Sequence, residues 1–306
     1  MYYIIYGFLY AFSLLPFFIL YGISDFLAFL MYYVIRYRKE VVMKNLAIAF
    51  PEKTEKQRIA IAKRFYRNLI DTFIETIKLL SLSDSQISKR AVIDVEDINR
   101  IAAEGKILQL MAGHQFNWEF VNFAIAEKIK IPWIGIYMRI KNDSVNKIIY
   151  NMRSRRGTVL VAAHEFVSKR HSVFNGQYAI GLAADQNPGR VGEAYWINFF
   201  NRPTPFITGP DKGARKPGVA VIFVKFVKVK RGHYRFEPTV ITENGETLNA
   251  YELLLKYRNF LEETIRQNPD NYLWSHNRFR WNYHSEANWV DTAPAPPDPS
   301  AVLKSS

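Results

Sequence analysis

The stretch KILQLMAGHQFNWEF, residues 106–120, decides the fold. Lys106 to Met111 is a short apolar run closed by Ala112, Gly113 and His114, which predicts a buried strand with a histidine at its carboxyl end. A helical pattern resumes from Asn117. The same alternation continues downstream. Strands are predicted at Trp133 to Met138, Thr158 to Ala162, Tyr178 to Ala183, Val219 to Val229 and His233 to Val240, with helical stretches near 143–156, 164–175, 210–217 and 249–267. Strands that alternate with helices specify an α/β layer fold with a mostly parallel central sheet flanked by helices. Such sheets carry their chemistry at the carboxyl ends of strands, which is where His114 and Asp185 fall.

Upstream, Thr54 with Gln57 forms a capping-box signature. The helical period then runs through Ile59, Phe65, Leu69, Phe73 and Ile77 with Lys and Arg between them. Before that helix, Met1 to Ile35 contains a single charge, Asp25, in a run longer than a bilayer-crossing helix needs. It lacks the basic start, short apolar core and small-residue cleavage site of a signal peptide, so it predicts a retained membrane anchor over residues 1–36. Pro16 and the Gly22–Asp25 stretch interrupt it, and a single tilted span, a kinked re-entrant pair and an interfacial helix are all compatible with the sequence. Arg36, Arg38, Lys39 and Lys44 follow at once, and the positive-inside rule puts the remainder on the cytoplasmic face. No linker or internal repeat breaks residues 37–290, which predict one domain. The Pro- and Ser-rich tail, residues 291–306, predicts disorder.

With no cysteine in 306 residues, disulfides, thiolate metal sites and a cysteine nucleophile are excluded. Lys plus Arg number 41 against 28 Asp plus Glu, a net charge of +13, which favours an anionic partner: nucleic acid, an anionic membrane surface or an acidic carrier protein.

Glu119 follows His114 by five residues, an HX4E spacing in which a carboxylate from the first helical turn meets a histidine at a strand-to-helix corner. That pairing supports general base catalysis: the carboxylate fixes the imidazole tautomer, and the ring takes the proton of an attacking hydroxyl. His164, His171, His233, His276 and His284 have no carboxylate at this spacing and are read as surface or structural residues. No clustered spacing supports a metal site, and no cofactor is called for.

Six ordered blocks carry a resemblance: NLAIAFPEKTEKQR (45–58), GHQFNWE (113–119), MRSRRG (152–157), AADQNPG (183–189), FFNRPTPFITGP (199–210) and YLWSHNRFR (272–280). Together they resemble the lipid A biosynthesis lauroyl/myristoyl acyltransferases, within the broad HX4D/E glycerolipid acyltransferase superfamily. The resemblance implies a glycerolipid-acyltransferase-like domain held at the inner membrane on its cytoplasmic side. It also implies transfer of a fatty acyl chain from acyl carrier protein to a hydroxyl of a glycolipid, lipid A or its precursor. By position it implies His114 as general base with Glu119 as its partner, and Arg153 and Asp185 as further functional polar residues. Arg153 would bind a phosphate or the developing charge. Asp185 would orient a basic group or the acceptor. Arg155 and Arg202 are candidate phosphate contacts. The sequence departs from the family at Phe116 and Asn201, where glycine is common. Two other readings stand beside this one. The same chemistry on another membrane lipid, a phosphoglycolipid or aminolipid, would explain those departures. An anchored, non-enzymatic basic module is the other, although no nucleic-acid signature accompanies the charge.

Overall fold

The computed structural model describes residues 1–166, 168, 173 and 176–296. The amino-terminal apolar run folds as two helices, α1 (Tyr2–Leu14) and α2 (Phe17–Phe29). They part at Leu15, which is extended (φ −55°, ψ 142°), because the ring of Pro16 disfavours a helical residue before it. One π turn, Leu30–Val34, prolongs α2, and among the described residues Phe17–Val34 is the helical stretch long and apolar enough to cross a membrane. Two basic helices follow, α3 (Lys39–Ala49) and α4 (Glu55–Lys78). The capping box is present at the start of α4: Gln57 N–H donates to Thr54 Oγ1 (3.3 Å) and Thr54 N–H to Gln57 Oε1 (2.8 Å).

From there the alternation sets in. The elements are α5 (Asp84–Ser88), β1 (Ala91–Ile93), α6 (Glu96–Ala103), β2 (Ile107–Ala112), α7 (Trp118–Lys128), β3 (Trp133–Tyr137), α8 (Asp143–Ser154), β4 (Val159–Ala162) and β5 (Ala179–Ala183). The chain continues through β6 (Tyr195–Phe199), β7 (Arg202–Phe206), α9 (Gly209–Ala214), β8 (Val219–Lys230), β9 (His233–Thr242) and α10 (Glu252–Gln267). Seven strands form one sheet in the order β1-β9-β8-β2-β5-β3-β4, parallel throughout except for the β8–β9 hairpin. The expected mostly parallel sheet is therefore present. Of the helix expected over 164–175, Ala163–Glu165 is a 3-10 turn, while His171 lies outside the described residues, as does 297–306 of the tail.

The sheet is covered on both faces, as parallel sheets require. On β8, Val221 and Phe223 face one apolar cluster with Phe65 and Leu69 of α4 and Leu261 of α10. Ala220, Ile222 and Val224 face the other with Phe120 and Phe123 of α7. Burying one such side chain contributes about 1.5–3 kcal/mol, so these two layers fix the sheet between α4 and α7. The packed chain continues past residue 290: the Asp291 carboxylate accepts from Asn198 N–H (2.7 Å) and pairs with Arg258 (3.1 Å), although the tail was expected to begin there.

Candidate active site

Register places the site. In the β2–β5 pair Ala112 lies opposite Ala183, so both strands reach the same rim of the sheet. Two residues beyond each alanine stand His114 and Asp185. His114 Nδ1 lies 2.6 Å from Asp185 Oδ1, and the His114 backbone N–H donates to Asp185 Oδ2 at 3.0 Å. An ionised carboxylate accepts only, so the bond fixes the proton on Nδ1 and leaves the Nε2 lone pair free. Asp185 is 1% exposed and His114 27% exposed, so the carboxylate is sealed behind a reachable ring. Burial pulls the His114 pKa down, but the charge and hydrogen bond of Asp185 outweigh it and the net shift is upward from 6.5. Burial likewise pushes Asp185 up, yet its interactions with His114 bring it down to about 2.

The carboxylate that meets His114 is thus Asp185, not Glu119. Residues 114–117 are not helical and α7 begins only at Trp118, so the HX4E spacing does not bring the two side chains face to face. Glu119, buried in the first turn of α7, is instead gripped by Arg153 of α8, with Nε–Oε2 at 2.9 Å and Nη2–Oε1 at 2.5 Å. Burial opposes the charge on Arg153, but Glu119 more than offsets it and its pKa is raised.

His114, Glu119 and Arg153 line one cavity of about 450 Å³. Its wall is otherwise largely apolar, including Leu110, Ile125, Trp133, Leu160, Val224 and Phe226. Gly135 and Gly181 also line it, and an added Cβ at Gly181 would stand 2.7 Å from Cη2 of Trp133. Glycine there is a condition for the indole to lie flat in the wall. The result is a mostly apolar cavity with a histidine and an ion pair at one polar end.

Arg155 and Arg202 do not line this cavity. The Arg155 guanidinium donates to the carbonyls of Leu79 (3.1 Å) and Leu82 (3.2 Å) and to Asp84, tying the end of α4 to the end of α8. Arg202 opens β7, opposite Phe199 in the two-stranded β6–β7 ribbon. Neither faces the site as expected. No group of three or more metal-ligating side chains exists among the described residues.

The sequence reading did not single out Tyr257. Its hydroxyl donates to Ala112 O (2.7 Å) and accepts from Ala184 N–H (3.1 Å), clamping the ends of β2 and β5. Spaced with Leu253, Leu254 and Leu261 on α10, it reads as a core residue, and only the fold reveals the clamp. The block at 272–280 also acquires a place. Leu273 N–H donates to His114 O (3.1 Å), and buried Arg278 donates to Asn187 Oδ1 (3.0 Å) and Pro205 O (2.8 Å). Neutral His276 accepts from Asn187 N–H at 3.1 Å, burial and the Arg278 charge having lowered its pKa to about 4.

The site is thus a His–Asp pair at the rim of a mostly parallel α/β sheet beside a largely apolar cavity, an arrangement of the kind enzymes use for general base chemistry. The profile of the bacterial lipid A biosynthesis acyltransferases matches residues 1–281, and the chain belongs to that family of O-acyltransferases. It is similar to the lipid A biosynthesis palmitoleoyltransferase of Escherichia coli K12, 21% identical over 245 residues and 79% of each chain. It is also similar to the lipid A biosynthesis lauroyltransferase of the same organism, 22% identical over 275 residues and 87% of each chain. A lipid A biosynthesis acyltransferase of Shigella flexneri matches at 21% over 245 residues.

Proposed function

We propose that this chain moves a fatty acyl group from an acyl carrier protein thioester to a hydroxyl of lipid A or its precursor, with His114 as general base and Asp185 as the carboxylate that orients it. The His114–Asp185 pair at the polar end of the apolar slot carries this reading. His114 Nε2 takes the acceptor hydroxyl proton as the oxygen attacks the thioester carbonyl. The new C–O bond forms, the C–S bond breaks, and the imidazolium returns its proton to the departing thiolate. Arg153, held in place by Glu119, supplies positive charge beside the cavity for the tetrahedral oxyanion or an acceptor phosphate. Glu119 therefore acts through Arg153.

The enzyme works at the cytoplasmic side of the inner membrane. On α1 and α2, Tyr3, Ile4, Phe8, Phe18, Phe26 and Phe29 are exposed, an apolar surface suited to the bilayer, and Arg36, Arg38 and Lys39 follow where anionic headgroups would lie. Mass spectrometry of envelope lipids tests the function, using a strain that lacks the protein and is complemented with the intact chain or with His114→Ala. One added acyl unit on lipid A with the intact chain alone supports the proposal. An added acyl on another lipid reassigns the acceptor, and no difference between the two complements removes the catalytic account.

A further inference from the structure

Glu75 lies in α4 with no exposed surface and, among the described residues, takes part in no ion pair. Its carboxylate is held by three neutral donors from three separate parts of the chain. Tyr234 Oη (2.6 Å) and Asn117 Nδ2 (3.0 Å) donate to Oε2, and Tyr21 Oη (3.0 Å) donates to Oε1. Tyr21 belongs to α2 in the apolar amino-terminal pair, Tyr234 to β9, and Asn117 to the turn between His114 and α7. Burial raises the Glu75 pKa against the hydrogen bonds from Tyr234 and Asn117, so an acid here is costly, and an apolar side chain of similar size would fill the same volume at less expense. The acid therefore needs a reason beyond packing.

Asn117 supplies the reason. As the N-cap of α7 it must present oxygen to the helix, and its Oδ1 accepts from Glu119 N–H at 2.9 Å. A carboxamide can equally present its NH2 group, which caps nothing. Oε2 of Glu75 already accepts from Tyr234 and lies 3.0 Å from Asn117 Nδ2, so it draws Nδ2 to itself and leaves Oδ1 facing the helix. The orientation of the first turn of α7, and with it the direction in which Glu119 leaves the helix to meet Arg153, follows from that choice.

We propose that Glu75 is a positioning residue of the acyl-transfer site: by fixing the Asn117 carboxamide it sets the first turn of α7 and aims the Glu119–Arg153 pair at the cavity. The inference rests on the reading of that cavity as the site of transfer. Through Tyr21 the same carboxylate also joins the apolar amino-terminal helices to the catalytic turn.

The test compares full-length, detergent-purified wild type with Glu75→Ala, Asn117→Ala, the double variant and Glu75→Gln, with His114→Ala alongside. Each is assayed for kcat and KM with dodecanoyl-loaded acyl carrier protein and a lipid A precursor, and for its thermal midpoint. Glu75→Ala and Asn117→Ala should each lower kcat about 10- to 100-fold, the scale of a slightly misplaced catalytic group, while KM for the donor stays near wild type. The double variant should lose no more than the worse single one, because both act through one contact. Glu75→Gln should recover most of kcat, since its amide oxygen can accept from Asn117 and Tyr234. Losses that multiply in the double variant, or a folded Glu75→Gln as impaired as Glu75→Ala, overturn the proposal. If Glu75→Ala does not fold, Asn117→Asp and Asn117→Asp/Glu75→Gln replace it. The first sets two carboxylates face to face and the second restores a donor between them, so a regain of kcat by about tenfold or more is expected and its absence overturns the proposal. Transfer by His114→Ala that equals wild type removes the base assignment instead, and leaves the Glu75–Asn117 coupling to be read from kcat on its own.

Discussion

His114 has two carboxylates within reach of its sequence context, Glu119 in the same motif and Asp185 at a separation of 71 residues, and the fold joins it to the distant one. Helical spacing arguments hold only inside a helix, and the turn from Gly113 to Asn117 is not one. The sequence made both acids visible as candidates, but which one touches the ring depends on the parallel β2–β5 register, and long-range pairing leaves no local signature. The electrostatics of the pair give a pH prediction. In the proposed role of base His114 must be deprotonated, so kcat/KM should rise with pH through a pKa above 6.5. Asp185→Asn removes the two influences that raise that pKa and leaves burial, which lowers it. The rising limb should then move to lower pH while kcat falls about 10²- to 10⁴-fold, as a pH–rate profile would record. Stability follows by linkage. Asp185 has a folded pKa of about 2, below its ordinary 3.8, so its contribution is fully present above about pH 4 and fades as pH falls through about 2. Acid unfolding monitored by circular dichroism should show Asp185→Asn lacking this component.

Among the elements, the β6–β7 hairpin shows what its turn residues must satisfy. Its two turn residues, Phe200 and Asn201, both have left-handed backbone, with φ of 51° and 56°. Glycine at 201 is thus the residue the turn itself prefers, and asparagine is among the side chains that tolerate the conformation best. Asn201→Val should destabilise the fold by about 1–2 kcal/mol and Asn201→Gly should not, in thermal or denaturant melts. Phe116 is buried against Phe65 and Trp118, so it packs the turn that follows His114 against α4 and α7. The slot carries its own prediction. Gly181→Ala drives a methyl into Trp133, and the displaced indole should shorten the cavity, reducing transfer of long acyl chains more than short ones in a competition assay with mixed donors. The central strands were legible because buried parallel strands are continuous apolar runs. The three-residue β1 and the Pro-containing β7 were not, since neither offers an apolar period long enough to register.

For the whole molecule, the amino-terminal pair is built into the domain. Asp71 of α4, 1% exposed, accepts from Ser24 of α2 (2.7 Å) and pairs with Arg231 (2.6 Å) and Lys228 (3.3 Å) from the β8–β9 hairpin, and Arg231 also pairs with Asp25 of α2. The apolar run itself was plain from sequence. That it carries polar partners of an ion cluster centred on buried Asp71 could not be read, because those partners lie in three separate stretches of chain. Asp71→Ala removes the buried carboxylate that Lys228 and Arg231 share, leaving Arg231 with Asp25 and Lys228 with Asn68, and should cost about 1.5–3 kcal/mol in a denaturant melt, and removing residues 1–36 should destabilise the domain as well as release it from membranes. The central claim is that the His114–Asp185 pair drives acyl transfer at the slot. Its most direct test is transfer from acyl carrier protein to a lipid A precursor by purified wild type, His114→Ala and Asp185→Asn of equal thermal stability, followed by product mass spectrometry. The account predicts a single added acyl unit with wild type, none above background with His114→Ala and a slow but detectable yield with Asp185→Asn. Equal product from wild type and a folded His114→Ala would contradict it.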